Sequence, residues 1–119
     1  MLPQPLRLRR SEDYAATIRR GVRVGRGTVL VHAREAAGDG DARVGFVVTK
    51  AVGGAVVRNR VRRRLRGVVI EHRESLPHGV DVVVRALPTA ATADFATLRA
   101  DLLAALRGTE RRLSPGPRS

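Results

Sequence analysis

The stretch Val57-Arg-Asn-Arg-Val-Arg-Arg-Arg-Leu-Arg66 holds six arginines in nine positions and no acid. A guanidinium keeps its charge at any physiological pH, and its planar fork of donors suits bidentate phosphate contacts and stacking on bases. On a helix turning about 100° per residue, Val57, Val61, Leu65, Val68, Val69 and His72 share one side. Asn59, Arg60, Arg62, Arg63, Arg64 and Arg66 occupy the other, with Arg58 at the edge of the apolar arc. A face that is only solvated usually mixes signs to gain i,i+4 pairs. Like charges packed on one face repel each other and destabilise the helix, and a bound polyanion relieves that cost. Gly53-Gly54 precedes the helix, so backbone N–H groups at the helix N-terminus also face whatever docks there.

The rest of the chain agrees with an anionic partner. Its 119 residues carry 23 basic and 11 acidic side chains, for a formal charge of +12. All the bases but Lys50 are arginine, and Ala, Gly, Val and Arg make up more than half of the residues. GC-rich coding accounts for arginine over lysine, but not for the excess of charge or its clustering. A 43% hydrophobic fraction supports a single packed core at this length. The absence of cysteine excludes a disulfide framework, a zinc finger and a thiol nucleophile. No apolar run reaches the ~20 residues of a membrane span, and MLPQPLRLRR lacks the apolar centre of a secretion signal. These features point to a cytoplasmic protein.

The elements that must position the arginines read in the order α-β-β-β-α-β-α. Residues 1–10 form an extended basic arm, residues 11–108 one α/β domain that meets the anionic partner, and residues 109–119 a flexible tail. Ser11 is the expected N-cap of a helix over 12–20 that shows Tyr14 and Ile18 on one face, with Gly21 ending it as its C′ residue. Gly25 and Gly27 divide Val22–Ala33 into two short strands, and 34–42 is a surface loop. Arg43–Lys50 is a β-branched strand, 55–73 the arginine helix and Val80–Leu87 a further strand. The strand-helix-strand order makes those two strands parallel in one sheet. Thr92 is the expected cap of a last helix over 93–107, with Phe95, Leu98, Leu102 and Leu106 in one stripe and Gly108 at its end. Phe46 and Phe95 both read as core.

Arg43-Val-Gly-Phe-Val-Val-Thr-Lys50, followed by Gly53-Gly54-Ala-Val-Val-Arg58-Asn59-Arg60-Val-Arg62-Arg63, resembles the signature of the bacterial ribonuclease P protein component. Arg7-Leu-Arg-Arg-Ser-Glu-Asp-Tyr14 and Val84-Arg85-Ala86-Leu87-Pro88 match that family in type and order. The resemblance covers about residues 6–107. It implies an α+β fold, a single-domain sandwich like the second domain of ribosomal protein S5, with the family's left-handed βαβ crossover against the usual right-handed rule.

The same resemblance implies the protein subunit of an endoribonuclease whose catalytic centre is in its RNA. The partners would be the ribonuclease P RNA and precursor tRNA, from which the 5′ leader is removed. Arg58, Asn59, Arg60, Arg62, Arg63 and Arg66 would dock on the catalytic RNA. Tyr14, Ile18 and Lys50 would line a cleft for the single-stranded leader, with Arg9, Arg10 and Arg43 as further basic contacts. Mg²⁺ would be held mainly by RNA in the holoenzyme. The chain departs from the family pattern at Ile18, where an aromatic is common, at Ala51, where a base is common, and at Gly54, where asparagine is common. One stacking residue in place of two implies weaker leader binding, since stacking contributes ~1–3 kcal/mol per base.

The remaining signals are weaker. His32, His72 and His78 lack metal-ligand spacing, and His72 reads as a packed core histidine. Asp39 and Asp41 flank a glycine in a loop that could meet a cation. No arrangement for nucleophilic catalysis and no P-loop is present, so no protein residue is assigned a catalytic role. A structural, ribosomal-type RNA-binding protein with no part in cleavage is the alternative reading of the same charge.

Overall fold

Alternation along the valine-rich strands decides the architecture. The computed structural model describes residues 7–36 and 40–113. Four strands, β1 (Val22–Arg26), β2 (Val29–Glu35), β3 (Arg43–Val47) and β4 (Val80–Ala86), form one sheet in the order β1-β2-β4-β3. β1–β2 and β2–β4 are antiparallel, whereas β3 and β4 are parallel as expected. Val29, Val31 and Ala33 of β2 and Val80, Val82, Val84 and Ala86 of β4 point to one face and are buried. Helix α2 (Ala55–Glu71) and helix α3 (Phe95–Leu113) close that face through Val61, Leu65, Val68, Val69, Leu98, Leu102 and Ala105. Helix α1 (Ser11–Arg20) lies on the opposite face, against β2 and β4.

Several boundaries differ from the sequence reading, each for a local reason. Arg7 bridges Val44 of β3, and the buried Leu8 donates its N–H to the Val44 carbonyl at 3.1 Å. The second half of the expected arm is therefore an attachment to the sheet edge. Extended backbone persists to Arg10, which takes the N-cap position, and Ser11 is the first helical residue without a side-chain cap bond. Gly21 ends α1 as expected, with extended backbone. A glycine is needed because an added Cβ would crowd the Thr17 and Ala33 carbonyls. β2 runs on to Glu35 because its partner β4 extends to Val80, which shortens the expected loop. β3 stops at Val47, where its pairing with β4 ends, and the chain turns with a Val52 N–H to Thr49 carbonyl bond of 3.0 Å.

The last helix needed the largest correction. Pro88–Ala91 forms a 3-10 turn after β4, and Asp94 replaces Thr92 as the cap, its Oδ1 accepting the Thr97 N–H at 2.7 Å. Two hydrogen bonds from Thr97 and the nearby Arg64 hold the Asp94 carboxyl below its usual range. The helix passes through Gly108 and ends at Leu113, so the expected tail from 109 is helical to that point. Gly108 is a packing residue, since a Cβ there would lie 2.9 Å from Val24 Cγ1. Phe95 is 41% exposed in the first turn of α3, and so is not core. α2 ends at Glu71, two residues early, and Arg73–Ser75 make a 3-10 turn.

Candidate nucleic-acid interface

The α1 face of the sheet carries an ion-pair network that seats α1. Asp81 of β4 is 1% exposed and pairs in register with Arg34 of β2 and Arg43 of β3. Arg43 donates Nε and Nη2 to the two Asp81 oxygens, both at 2.9 Å, and Arg34 Nη2 lies 3.3 Å from Asp81 Oδ2. Asp13 of α1 reaches the same two arginines at 3.4 and 3.7 Å. The bond to Asp81 raises the Arg43 pKa further above its normal value. Arg43, expected as a further basic contact, is 40% exposed and also anchors this network.

One turn position along, Tyr14 lies on β3 at Gly45. A Cβ at Gly45 would collide with the Tyr14 hydroxyl and ring, so the glycine of the Arg43–Lys50 motif is the floor on which the aromatic rests. Beside this contact, at the β3 edge, is a cleft of about 220 Å³. Arg7, Tyr14 and Phe46 line it from the sheet side, and Arg62 and Arg66 of α2 face them. No acid lines it. Arg7 Nε is buried and has no hydrogen-bond partner among the described residues. A buried donor without an acceptor is costly, and an anionic ligand would supply one.

The arginine helix divides its residues between tasks. Val61, Leu65, Val68 and Val69 are fully buried, as their spacing predicts, and His72 is half-buried with Nδ1 3.0 Å from the Val68 carbonyl. Arg62 and Arg66, with Asn59 and Arg63, also border an outer depression of about 530 Å³, and Arg62 Nη1 donates to Asn59 Oδ1 at 3.0 Å. The same two arginines therefore form the wall between cleft and depression. Arg60 turns the other way and donates to the Ala91 carbonyl at 3.1 Å. Arg58 is half-buried, with its Nε enclosed. Gly54 caps α2 with no side-chain bond, and its first turn holds no acid.

Other expected contacts are more dispersed. Ile18 is 40% exposed on α1 and Lys50 is exposed in the turn after β3; neither lines the cleft. Arg9 and Arg10 are exposed, Arg10 lying 3.7 Å from Glu12. Sequence reasoning missed Arg7 and Phe46. Arg7 was legible in the basic run ahead of Tyr14, whereas Phe46 has the signature of any buried strand residue and is in fact half-buried against both core and cleft. Asp39 lies outside the described residues. Among the described residues no group of three or more His, Asp or Glu side chains could hold a metal ion, and no helix is long and apolar enough to cross a membrane.

Known proteins resemble this chain in sequence and in fold. A family model described as Ribonuclease P matches residues 2–110. The Ribonuclease P protein component of Streptomyces bikiniensis is 55% identical over 115 residues, covering 90% of this chain and 94% of its own. That of Corynebacterium diphtheriae is 53% identical over 112 residues, covering 89% and 94%. The solved RNase P protein from Thermotoga maritima is 28% identical with a TM-score of 0.77, covering 86% of this chain and 96% of its own. A match over nearly the whole length, together with an acid-free cleft built from the Arg-Asn-Arg helix and Tyr14, leads to one conclusion: the chain belongs to the ribonuclease P protein family.

Proposed function

We propose that this chain is the cytoplasmic protein subunit of ribonuclease P, and that it holds precursor tRNA against the catalytic RNA while the RNA cuts off the 5′ leader. The observation that carries the reading is the convergence of Arg62 and Arg66 from α2 with Arg7 and Tyr14 on one acid-free cleft. A single-stranded leader fits such a cleft, because an aromatic ring stacks on any base while guanidinium groups pair with successive phosphates. The outer surface of Asn59, Arg62, Arg63 and Arg66 docks on the catalytic RNA, whose backbone charge it screens. Lys50, Arg9 and Arg10 add long-range attraction.

The protein contributes binding and charge screening, and it moves no proton. The Mg²⁺ of the holoenzyme is held mainly by RNA. The test is leader cleavage by the reconstituted holoenzyme at low Mg²⁺. Arg62→Ala/Arg63→Ala/Arg66→Ala is expected to lose the stimulation and to regain part of it at high Mg²⁺, where added cation replaces the missing charge. Normal stimulation by this variant would refute the assignment of the arginine face. The RNA recovered with the tagged protein separates this reading from a ribosomal-type one: ribonuclease P RNA and precursor tRNA in the first case, ribosomal RNA in the second.

A further inference from the structure

A second basic concavity lies at the opposite edge of the sheet. Between β1 and the last turns of α3 is an open depression of about 620 Å³ lined by Arg23, Arg26, Arg111 and Arg112. Its floor exists because Gly108 lets α3 settle directly on Val24. That contact brings the arginines of a C-terminal helix end beside those of a strand far away in sequence. Arg112 Nη1 donates to the Arg23 carbonyl at 2.7 Å, which fixes its position and leaves its charge uncompensated. Among the described residues no acid pairs with any of the four. The two acids of α3 are directed elsewhere. Asp101 accepts the Thr28 N–H and hydroxyl at 3.0 and 2.8 Å, and Glu110 lines a separate apolar hollow with Leu106 and Leu113.

Two basic residues at a helix C-terminus have an ordinary explanation, because they complement the helix dipole. That does not account for Arg23 and Arg26, which come from β1. Four like charges around one hollow repel each other, and a polyanion removes that penalty. The depression is also continuous with the α1 face. Val47, Arg85, Leu30 and Gly25 are register partners across the four strands on that face, and none of them is fully buried. Gly25 itself lines the depression. Three strand spacings, about 14 Å, therefore separate the β3 side of the sheet from the β1 edge, with Arg85 exposed midway.

We propose that Arg23, Arg26, Arg111 and Arg112 form a second groove for single-stranded RNA backbone, which holds the distal part of a long leader after it crosses the sheet. This inference rests on the leader-binding reading above, and its test separates the two. The holoenzyme is assayed for binding of one precursor tRNA carrying either a leader of a few nucleotides or a long one, with wild type, Arg26→Ala/Arg111→Ala, Arg26→Lys/Arg111→Lys and Tyr14→Ala.

The alanine pair is expected to weaken only the long-leader substrate. It should also flatten the dependence of log K on log salt by about 1.4, at ~0.7 per phosphate contact on a single strand. The lysine pair should retain the affinity. Equal weakening of both substrates would mean that the groove meets tRNA or catalytic RNA instead, and no change would mean a solvated surface; either overturns the proposal. Tyr14→Ala reports on the parent reading. If it weakens leader binding while the alanine pair is silent, only the second groove fails. If both are silent, the leader cleft fails as well.

Discussion

The Tyr14 ring rests against the Cα of Gly45, in space that any Cβ at that position would occupy. Two motifs 31 positions apart in sequence, one on a helix and one on an edge strand, are thereby a single structural unit. Gly45→Ala is expected to destabilise the protein by about 1–3 kcal/mol through overpacking and to weaken leader binding by displacing the ring. Tyr14→Ala/Gly45→Ala should recover much of that stability, because the clash is gone. A double-mutant cycle by urea denaturation checks this; additive effects would mean that the two residues do not share the space.

The arginine helix should separate into binding and structural members. Arg62→Ala and Arg66→Ala are each expected to lower the salt dependence of RNA binding by about one phosphate's contribution and to leave the unfolding midpoint unchanged. Arg60→Ala removes a bond to the Ala91 carbonyl and should cost about 1 kcal/mol of stability with a smaller effect on binding. Salt titrations alongside denaturation curves distinguish the two kinds.

Asp81→Asn should be among the most damaging single changes. It leaves Arg34 and Arg43 without their buried counter-charge, and breaking such a network from one side costs about 3 kcal/mol. The loss also frees α1, because Asp13 relies on the same arginines. Chemical denaturation measures the cost. A destabilisation well under 1 kcal/mol would show that α1 is held by packing alone.

His32 sets a pH dependence with a definite sign. Burial, and then the charges of Arg23 and Arg85, push its pKa below the ordinary value, so the folded protein resists protonating it. The unfolded chain then binds more protons below about pH 6.5. Stability from this group is full above that pH and declines as pH falls toward the depressed value. His32→Gln should flatten the slope of stability between pH 7 and 5, and Arg85→Ala should reduce it in part; an unchanged slope in the first variant would exclude His32 as its source.

Much of this was readable from local pattern. The 3.6-residue spacing of Val61, Leu65, Val68 and Val69 gave the buried side of α2, and the strand-helix-strand order gave the parallel β3–β4 pair. What escaped was set by partners distant in sequence. Gly108 looks like a helix terminator, and only the Val24 side chain packed against it reveals that it permits close approach; Gly21 does end its helix, but its contact with the Ala33 carbonyl is equally invisible in the sequence. Arg43 and Arg60 cannot be told from their basic neighbours until Asp81 and the Ala91 carbonyl are brought to them. Phe95 has the right spacing for the core stripe, but it is the first residue of its helix and is 41% exposed.

The sheet order has a consequence for biosynthesis. β4 sits between β2 and β3 although it is the last strand to leave the ribosome. Until residues 80–86 emerge, β3 lacks its strand partner, β2 pairs only with β1, and the sheet that backs α2 is incomplete. A nascent chain stalled before that point would display the basic side of α2 without a folded scaffold behind it. The support behind the arginine face is thereby tied to the insertion of β4 between β2 and β3.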